Sequence, residues 1–164
     1  MAELTARAPK PTMDEEDRNE ITRGLARLLA DTYTLSLKTQ NYHWNVTGPS
    51  FPSLHLLFEA QHIELAAATD LVAERIRALG ERAPATYHEL ASLSSIVDDD
   101  DDGAIDADEM MRRLLAAHEV AVTTALAVLP VAERAHDLAT ADLLGQRMGA
   151  HQKAAWMLRS TLGS

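Results

Sequence analysis

Histidine and carboxylate side chains recur on one face of a long helical stretch, at the spacing of metal ligands. His55 and Glu59 lie one helical turn apart, and so do Asp70 and Glu74. Each pair is therefore placed to hold one side of a metal ion. Imidazole combined with carboxylate suits Fe(II), Mn(II) or Zn(II) better than Ca(II), which prefers oxygen ligands alone. The chain has no cysteine, which excludes thiolate-bound zinc and iron–sulfur clusters.

The two pairs cannot bind the same ion within one chain. They are 15 residues apart, which corresponds to about 22 Å along a helix. A two-fold axis that crosses this helix between the pairs would place the His55 pair of one chain against the Asp70 pair of its partner. We therefore expect two identical sites, each built by both chains. Leu56, Ile63 and Ala66 lie in or beside the same face, which indicates burial against that partner.

His43 fits the same arrangement. It ends the preceding helix, and residue 49, midway between 43 and 55, falls within the turn at 47–50. In an antiparallel helical hairpin the two histidines therefore lie at the same level. The competing interpretation is that all these groups are ordinary surface side chains of long helices. The predicted ligand set is His43, His55, Glu59, Asp70 and Glu74.

Four long helices must position these residues. Apolar residues at three- and four-residue spacing predict helix A over 14–46, helix B over 52–79, helix C from 106, and helix D over 139–162. Pro130 is expected to kink or end helix C. A short helix is predicted at 86–97, inside the long connection between helices B and C. The chain is thus predicted to be all-α, a four-helix bundle with one long crossover.

Composition and charge set wider limits. The 164 residues suffice for one domain, with a flexible tail predicted at 1–13 and the bundle at 14–164. No apolar run approaches the roughly 20 residues of a membrane span. We recognise no signal peptide and expect a cytoplasmic protein, with association to the nucleoid left open. A net charge of −10 disfavours binding to a phosphate backbone and favours attraction of cations.

The residues around the predicted site resemble a known family. The stretch from Gln40 to Pro49, followed by Leu54-His55 and Phe58-Glu59, resembles the Dps family, the DNA-protecting mini-ferritins of the ferritin-like superfamily. Similar stretches follow at 70–80, at 140–143 and at 151–158. The resemblance covers roughly residues 15–162 and implies a ferritin-like four-helix bundle.

The resemblance also implies a function for the site. His43 and His55 would come from one subunit, Asp70 and Glu74 from its two-fold mate, and twelve subunits would form a hollow shell. Fe(II) would be oxidised at this interface, often by hydrogen peroxide in preference to dioxygen, and ferric oxide would collect inside. Trp44 resembles the family's aromatic neighbour of the site. Two interpretations of it stay open, scavenging of electron holes and simple packing at the dimer contact, and packing is at least as well supported. The family often has Asp where Glu59 stands.

Two Glu-x-x-His strings offer a different iron site. In larger ferritins such motifs place a di-iron site inside a single bundle. Here they are Glu59 with His62 and Glu133 with His136, but the second string lies beyond Pro130 at a helix end. We expect His62 and His136 to be exposed or structural. The isolated histidines are also expected to be structural: His88, His118 and His151.

An aspartate run before helix C matches the calcium-binding EF-hand loop over 98–109. Gly103 and Ile105 stand where that loop requires glycine and an apolar residue. Against calcium, such loops usually occur in pairs, and aspartates at a helix start also suit the helix dipole without metal. The loop is a second predicted divalent-cation site, for Ca(II). Its ligands would be Asp98, Asp100, Asp102, Asp106 and Glu109.

The start of helix D carries two aspartates that are candidates for a cation entry route. Asp137 and Asp142 lie where the resemblance places a negatively charged three-fold pore, with an N-cap for helix D as the alternative.

The first 13 residues hold only Arg7 and Lys10 as basic side chains, so direct DNA binding is predicted to be weak or absent. Two functions follow. One is a ferroxidase and iron-storage shell, and the other is a DNA-compacting protein whose shared site binds a non-redox metal such as zinc.

Overall fold

Five helices make up the regular structure of the residues that the structure describes. The computed structural model describes residues 13–99 and 105–163, and within them no strand occurs. The all-α bundle with a short helix in its crossover is therefore confirmed. Apart from Met13, the predicted tail lies outside the described residues. The helices are α1 (Glu15–Asn45), α2 (Phe51–Ala78), α3 (Tyr87–Leu93), α4 (Ala107–Arg134) and α5 (Leu138–Leu162).

The topology follows from contacts in which residue numbers rise along one helix and fall along its neighbour. By this criterion α1 is antiparallel to α2 and to α4, and α5 is antiparallel to α2. Helices α2 and α4 are therefore parallel, and α5, which follows α4 after a short turn, is antiparallel to α4. A parallel pair needs a long connection, and the segment that contains α3 supplies it. The contacts are His43–His55 and Ser36–His62 for α1 and α2, Asp17–Arg134 and Asp31–Thr124 for α1 and α4, and Glu64–Arg147 and Arg75–Asp137 for α2 and α5.

The helix in the crossover is shorter than the predicted 86–97. It begins with a capping box, in which the Thr86 hydroxyl accepts from the Glu89 amide and the Glu89 carboxylate accepts from the Thr86 amide. It ends at Leu93 because the next two residues turn inward. Ser94 and Ser95 donate to the fully buried Asp31 carboxylate, which Thr124 of α4 also contacts at 2.6 Å. This network ties the crossover to α1 and α4.

Helix α4 continues through Pro130 to Arg134. Proline removes one backbone donor, but Val131 and Ala132 are buried just beyond it, so packing keeps this last turn helical. The length and mean hydropathy of α4, 1.7 in its most apolar window, would also suit a membrane span. Core helices of bundles meet the same two criteria, and His118 and Glu119 interrupt the apolar residues of α4, so the expectation that no apolar run approaches a span is not contradicted. Within the bundle, 39% of that window is buried.

The apolar spacing of α2 predicts one arc of about 100° as its core face, and the structure agrees with a single polar exception. The predicted arc is Leu54, Leu57, Phe58, Leu65, Ala68, Val72, Ile76 and Leu79. Leu57 and Leu79 on the predicted arc are only partly buried. Gln61, which the apolar pattern did not place in the core, is 8% exposed. The other predicted core residues of α2 are buried: Leu54, Phe58, Leu65, Ala68, Val72 and Ile76.

Candidate metal centre

The side chains of His43 and His55 make a reciprocal pair of hydrogen bonds, called the histidine clasp below, beside the turn that joins α1 to α2. The Nδ1 atom of His43 lies 2.9 Å from the backbone oxygen of His55, and the Nδ1 atom of His55 lies 2.8 Å from the backbone oxygen of His43. A carbonyl oxygen only accepts, so both Nδ1 atoms donate. In the neutral rings, both Nε2 atoms therefore carry a lone pair that is available to a metal.

The two rings are also fixed against each other. Their centroids are 3.9 Å apart with an interplanar angle of 21°, and the Phe51 ring lies 5.1 Å from His55. Both histidines are half-buried, so they combine a fixed orientation with access from outside. Trp44, beside His43, is 65% exposed, which leaves its indole open to a partner surface.

The predicted carboxylates lie on the outer face of α2. Glu59, Asp70 and Glu74 are exposed. Among the described residues, none of the three makes an ion pair or a side-chain hydrogen bond. Their neighbours on the same helix differ, since Glu64 pairs with Arg147 and Arg75 pairs with Asp137. The predicted ligands are thus carboxylates that the fold leaves available.

A single chain does not bring these groups together. In residues 13–99 and 105–163, no three histidine or carboxylate side chains converge on a common point. His43 and His55 make up one predicted half-site, and Asp70 and Glu74 make up the other, about 22 Å along α2. Glu59, one turn after His55, lies beside the first half-site. Any complete site with all five residues therefore needs a second chain.

The face between the half-sites has the composition of an interface. Leu56 is 63% exposed, Ile63 is 61% exposed and Leu71 is 51% exposed. Large apolar side chains in one exposed row on a helix usually mark a contact surface. This row runs along the same stretch of α2 as the two half-sites.

The Glu-x-x-His strings do not form an intrabundle site. His62 lies on the outer side of the α1–α2 pair, where its ring nitrogens contact Ser36 Oγ at 3.1 Å and the Gln40 amide nitrogen at 3.0 Å. Glu133 and His136 are exposed at the end of α4. His136 has a φ of 53°. This left-handed conformation ends the helix, so His136 does not project into the bundle as a ligand.

The described part of the aspartate-rich loop is largely engaged with other groups. Asp99 contacts Lys38 at 2.8 Å, together with Tyr42 and Arg113. Burial raises the pKa of Asp99, but the hydrogen bonds from Lys38 and Tyr42 outweigh it and hold the pKa below its usual range. Burial together with Asp99 raises the pKa of Tyr42.

The predicted calcium ligands in this segment have partners of their own. Asp98 accepts from the Asp99 amide, Asp106 caps α4 through the Glu109 amide at 2.8 Å, and Glu109 pairs with Arg113. Asp100 and Asp102 lie outside the described residues. The calcium site stays a prediction.

Asp137 is the N-cap of α5. Its carboxylate accepts from the Thr140 amide at 3.1 Å and from Arg75 at 2.6 Å, and the residue is 7% exposed. Burial raises the pKa of Asp137, but Arg75 and Thr140 outweigh it and lower the pKa. Asp142 is exposed and accepts from Gln146. Of the predicted pore pair, only Asp142 thus presents an exposed carboxylate, and the pore role stays a prediction for both.

Comparison with known proteins places this geometry in context. The sequence profile of the ferritin-like domain family matches residues 22–164. DNA protection during starvation protein 2 of Bacillus anthracis is 33% identical over 87% of this chain and 97% of its own length. Antigen TpF1 of Treponema pallidum superposes with a TM-score of 0.90 at 28% identity, over 96% of this chain and all of the other.

A second similar structure is known by the name of its superfamily. The Dps protein of Vibrio cholerae O1, a member of a broad superfamily of ferritin-like diiron-carboxylate proteins, superposes with a TM-score of 0.86 at 27% identity. The superposition covers 92% of this chain and 93% of that one.

Proposed function

Because this chain belongs to the Dps group of the ferritin-like family, we propose that it oxidises Fe(II) at a site shared between two subunits. His43, His55 and Glu59 of one subunit would face Asp70 and Glu74 of the other. The family as a whole is one of iron-storing mini-ferritins. Subunits would assemble through two-fold dimers into a hollow shell of twelve, which stores the ferric product and protects the cell from oxidative damage. We place this shell in the cytoplasm.

The reciprocal histidine clasp is the observation that carries this proposal. Backbone carbonyls accept hydrogen bonds from both Nδ1–H groups. Each ring is therefore held in one tautomer, and its Nε2 atom presents a lone pair. A histidine with a purely structural role on a surface helix has no need of such an arrangement. The partnerless carboxylates of α2 supply the negative charge that a ferric ion requires.

The chemistry requires two electrons and two iron ions. Two Fe(II) ions and one hydrogen peroxide give two Fe(III) ions and two hydroxide ions, with the O–O bond cleaved in a two-electron reduction. Because both electrons pass in one event, no hydroxyl radical is released. Here iron is the substrate. The imidazoles fix its position without adding charge, while the three carboxylates stabilise the product more than the reactant because Fe(III) carries the higher charge.

The second candidate function is DNA compaction by a shell whose shared site holds zinc. The net charge of −10 and the acidic first turn of α1, Glu15-Glu16-Asp17, count against it, because DNA affinity depends on Lys and Arg. We propose weak or absent DNA binding. A gel-shift experiment with plasmid DNA at physiological salt tests this, and retardation at near-stoichiometric protein would favour the second function.

Anaerobic iron loading tests the main proposal. The apoprotein is loaded with Fe(II) without oxygen, hydrogen peroxide is added, and loss of Fe(II) is followed with a ferrous chelator. We expect fast oxidation by the native chain and slow oxidation by the His43→Ala/His55→Ala variant. His88→Ala, which removes an exposed histidine far from the hairpin end, is the matched control. If the double variant oxidises iron as fast as the native chain, the site is wrongly assigned.

A further inference from the structure

The centre of the bundle contains a second histidine pair, made by two residues expected to be isolated. His118 of α4 and His151 of α5 are 2% and 1% exposed, and their Nδ1 atoms are 3.0 Å apart. One Nδ1–H donates to the other ring. Unlike the pair at the hairpin end, these rings use each other and no backbone carbonyl.

Polar atoms without partners cluster around this pair. Among the described residues, six buried side-chain nitrogen or oxygen atoms lack a hydrogen-bond partner, and five of them belong to this cluster. They are the Nε2 atoms of His118 and His151, both amide atoms of Gln61, and Nε of Arg147. Such atoms are rare in folded proteins, and an ion or a water molecule usually explains them.

Helix register brings Gln61 to the level of the histidines. Glu64 of α2 accepts two hydrogen bonds from Arg147 of α5. Gln61 lies three residues before Glu64, and His151 lies four residues after Arg147. Because α2 and α5 are antiparallel, these steps lead in the same direction along the bundle.

We infer that His118 and His151 form a site within one subunit for a single divalent transition-metal ion such as Zn(II), bound between their Nδ1 atoms. With metal–nitrogen bonds of about 2.0–2.1 Å, a 3.0 Å separation corresponds to an N–metal–N angle of about 91–97°. A tetrahedral angle requires the rings to open by about 0.3–0.4 Å. Zn(II) accepts this range because it has no preferred geometry of its own.

The protonation state of the pair is the one that metal ligands require. Burial, with added repulsion from neighbouring groups that include Arg147, lowers the pKa of His118 and of His151 to about 3. Both rings are therefore neutral near pH 7, as metal ligands must be. When the ion replaces the shared hydrogen, the donating ring moves its hydrogen to Nε2. Each ring then keeps one N–H group and no proton is released overall.

The surroundings supply second contacts to the two ligating rings, and water molecules would fill the remaining coordination positions. After metal binding, both Nε2–H groups need acceptors, and the buried amide oxygen of Gln61 is an acceptor without a partner. A carbonyl oxygen on the far nitrogen of a ligating histidine is the usual second contact of such sites. The charge of Arg147 is neutralised by Glu64. His118 also lines a groove between α4 and α5, beside Glu119 and Gln152, which gives an ion and its water ligands a route inward.

The site is separate from the shared one, so its test removes the shared histidines first. The probe is Zn(II) alone, titrated by calorimetry into the His43→Ala/His55→Ala apoprotein. We expect one tight zinc per chain. Adding His118→Gln to this background should weaken that binding by about ten-fold or more, whereas adding His88→Gln at an exposed position should leave it unchanged. Equal zinc affinity in the His118→Gln and His88→Gln backgrounds would overturn the inference.

A second measurement does not depend on whether the variants fold. Crystals of the native protein, grown with zinc sufficient to fill the shared site, are measured above and below the zinc absorption edge. An anomalous peak between the rings of His118 and His151 supports the site. A peak at the shared site with only an ordered water between these rings overturns it.

Discussion

The two histidine pairs of this chain are built from the same parts and differ in their partners. Each joins the two helices of an antiparallel hairpin, α1 with α2 and α4 with α5. The His43–His55 pair donates to backbone carbonyls, is half-buried and keeps both Nε2 atoms open to the outside. The His118–His151 pair is bonded to itself, is buried, and has Nε2 atoms without partners.

This difference separates a site prepared for a transient substrate from one suited to a resident ion. Backbone hydrogen bonds at the hairpin end hold the rings whether or not a metal is bound, so iron can bind, react and leave. In the core, the polar groups are satisfied only when something occupies the space between them. Removing the first pair should therefore affect chemistry, and removing the second should affect stability.

The largest expected effect lies at the hairpin end. His43→Ala/His55→Ala should lower the initial rate of peroxide-driven Fe(II) oxidation by about 100-fold or more, because the ion loses both neutral ligands. The free energy of unfolding should fall by about 1–2 kcal/mol at most, since only two half-exposed hydrogen bonds are lost. Stopped-flow absorbance and urea unfolding measure the two quantities. A large stability loss with an unchanged rate would reverse the roles of the two pairs.

Acid should act mainly on the core pair. The pKa of each core histidine is about 3 in the fold and about 6.5 in the unfolded chain. The contribution of the neutral rings to the free energy of unfolding is thus fully present above pH 6.5, and it is lost as the pH falls toward 3. At pH 4.5 we expect a loss of about 2–3 kcal/mol per histidine.

Urea unfolding at pH 7.5 and pH 4.5 measures this loss. The drop between the two pH values should be smaller in His118→Gln by the share of one histidine. His88→Gln should keep the native drop. An identical drop in all three proteins would mean that the buried rings do not titrate as their burial requires.

The ion pair beside the core histidines should matter more than one on the surface. Glu64→Gln should cost about 1–3 kcal/mol, because the Arg147 side chain is only 6% exposed and loses its counter-charge. Glu119→Gln is the matched control, since its partner Arg159 is 46% exposed, and it should cost under about 1 kcal/mol. Urea unfolding at pH 7.5 compares the two, and equal losses would argue against a polar core that depends on Glu64.

The smallest effect concerns Gln61. In metal-free protein, Gln61→Leu should change the free energy of unfolding by less than about 1 kcal/mol, because the amide has no protein partner to lose. Zinc affinity in the His43→Ala/His55→Ala background should fall by about ten-fold, because the Nε2–H groups lose their acceptor. Calorimetry with Zn(II) measures the second quantity, and an unchanged affinity would remove Gln61 from the core site.

Much of the fold could be predicted from the sequence, and so could the ligand set proposed for the shared site. Helix spacing alone separated the His55–Glu59 pair from the Asp70–Glu74 pair and so required two chains. The long helices were correct to within one residue at most of the ends that were predicted, because caps and turns such as Gly48-Pro49 are local signals. Helix α3 was overextended, because its end depends on Asp31, a contact more than 60 residues away.

The core pair could not be predicted in this way. His118 and His151 are 33 residues apart on different helices, and no local spacing joins them. Gln61 stands on an otherwise apolar face of α2, and a single polar residue there has no periodic signal. The clasp between His43 and His55 was likewise beyond the sequence, which placed the rings at one level but gave no information about backbone acceptors. Long-range packing decides these contacts.

Mixed assemblies test most directly whether two chains build the shared site together. One chain carries His43→Ala/His55→Ala and the other carries Asp70→Asn/Glu74→Gln, and each alone should oxidise Fe(II) slowly. Random co-assembly in equal amounts should restore about a quarter of the native sites, because half of the dimers contain both chains and each such dimer holds one intact site. Recovery of about a quarter of the native rate is the predicted result. No recovery in shells proven to contain both chains would contradict the shared site.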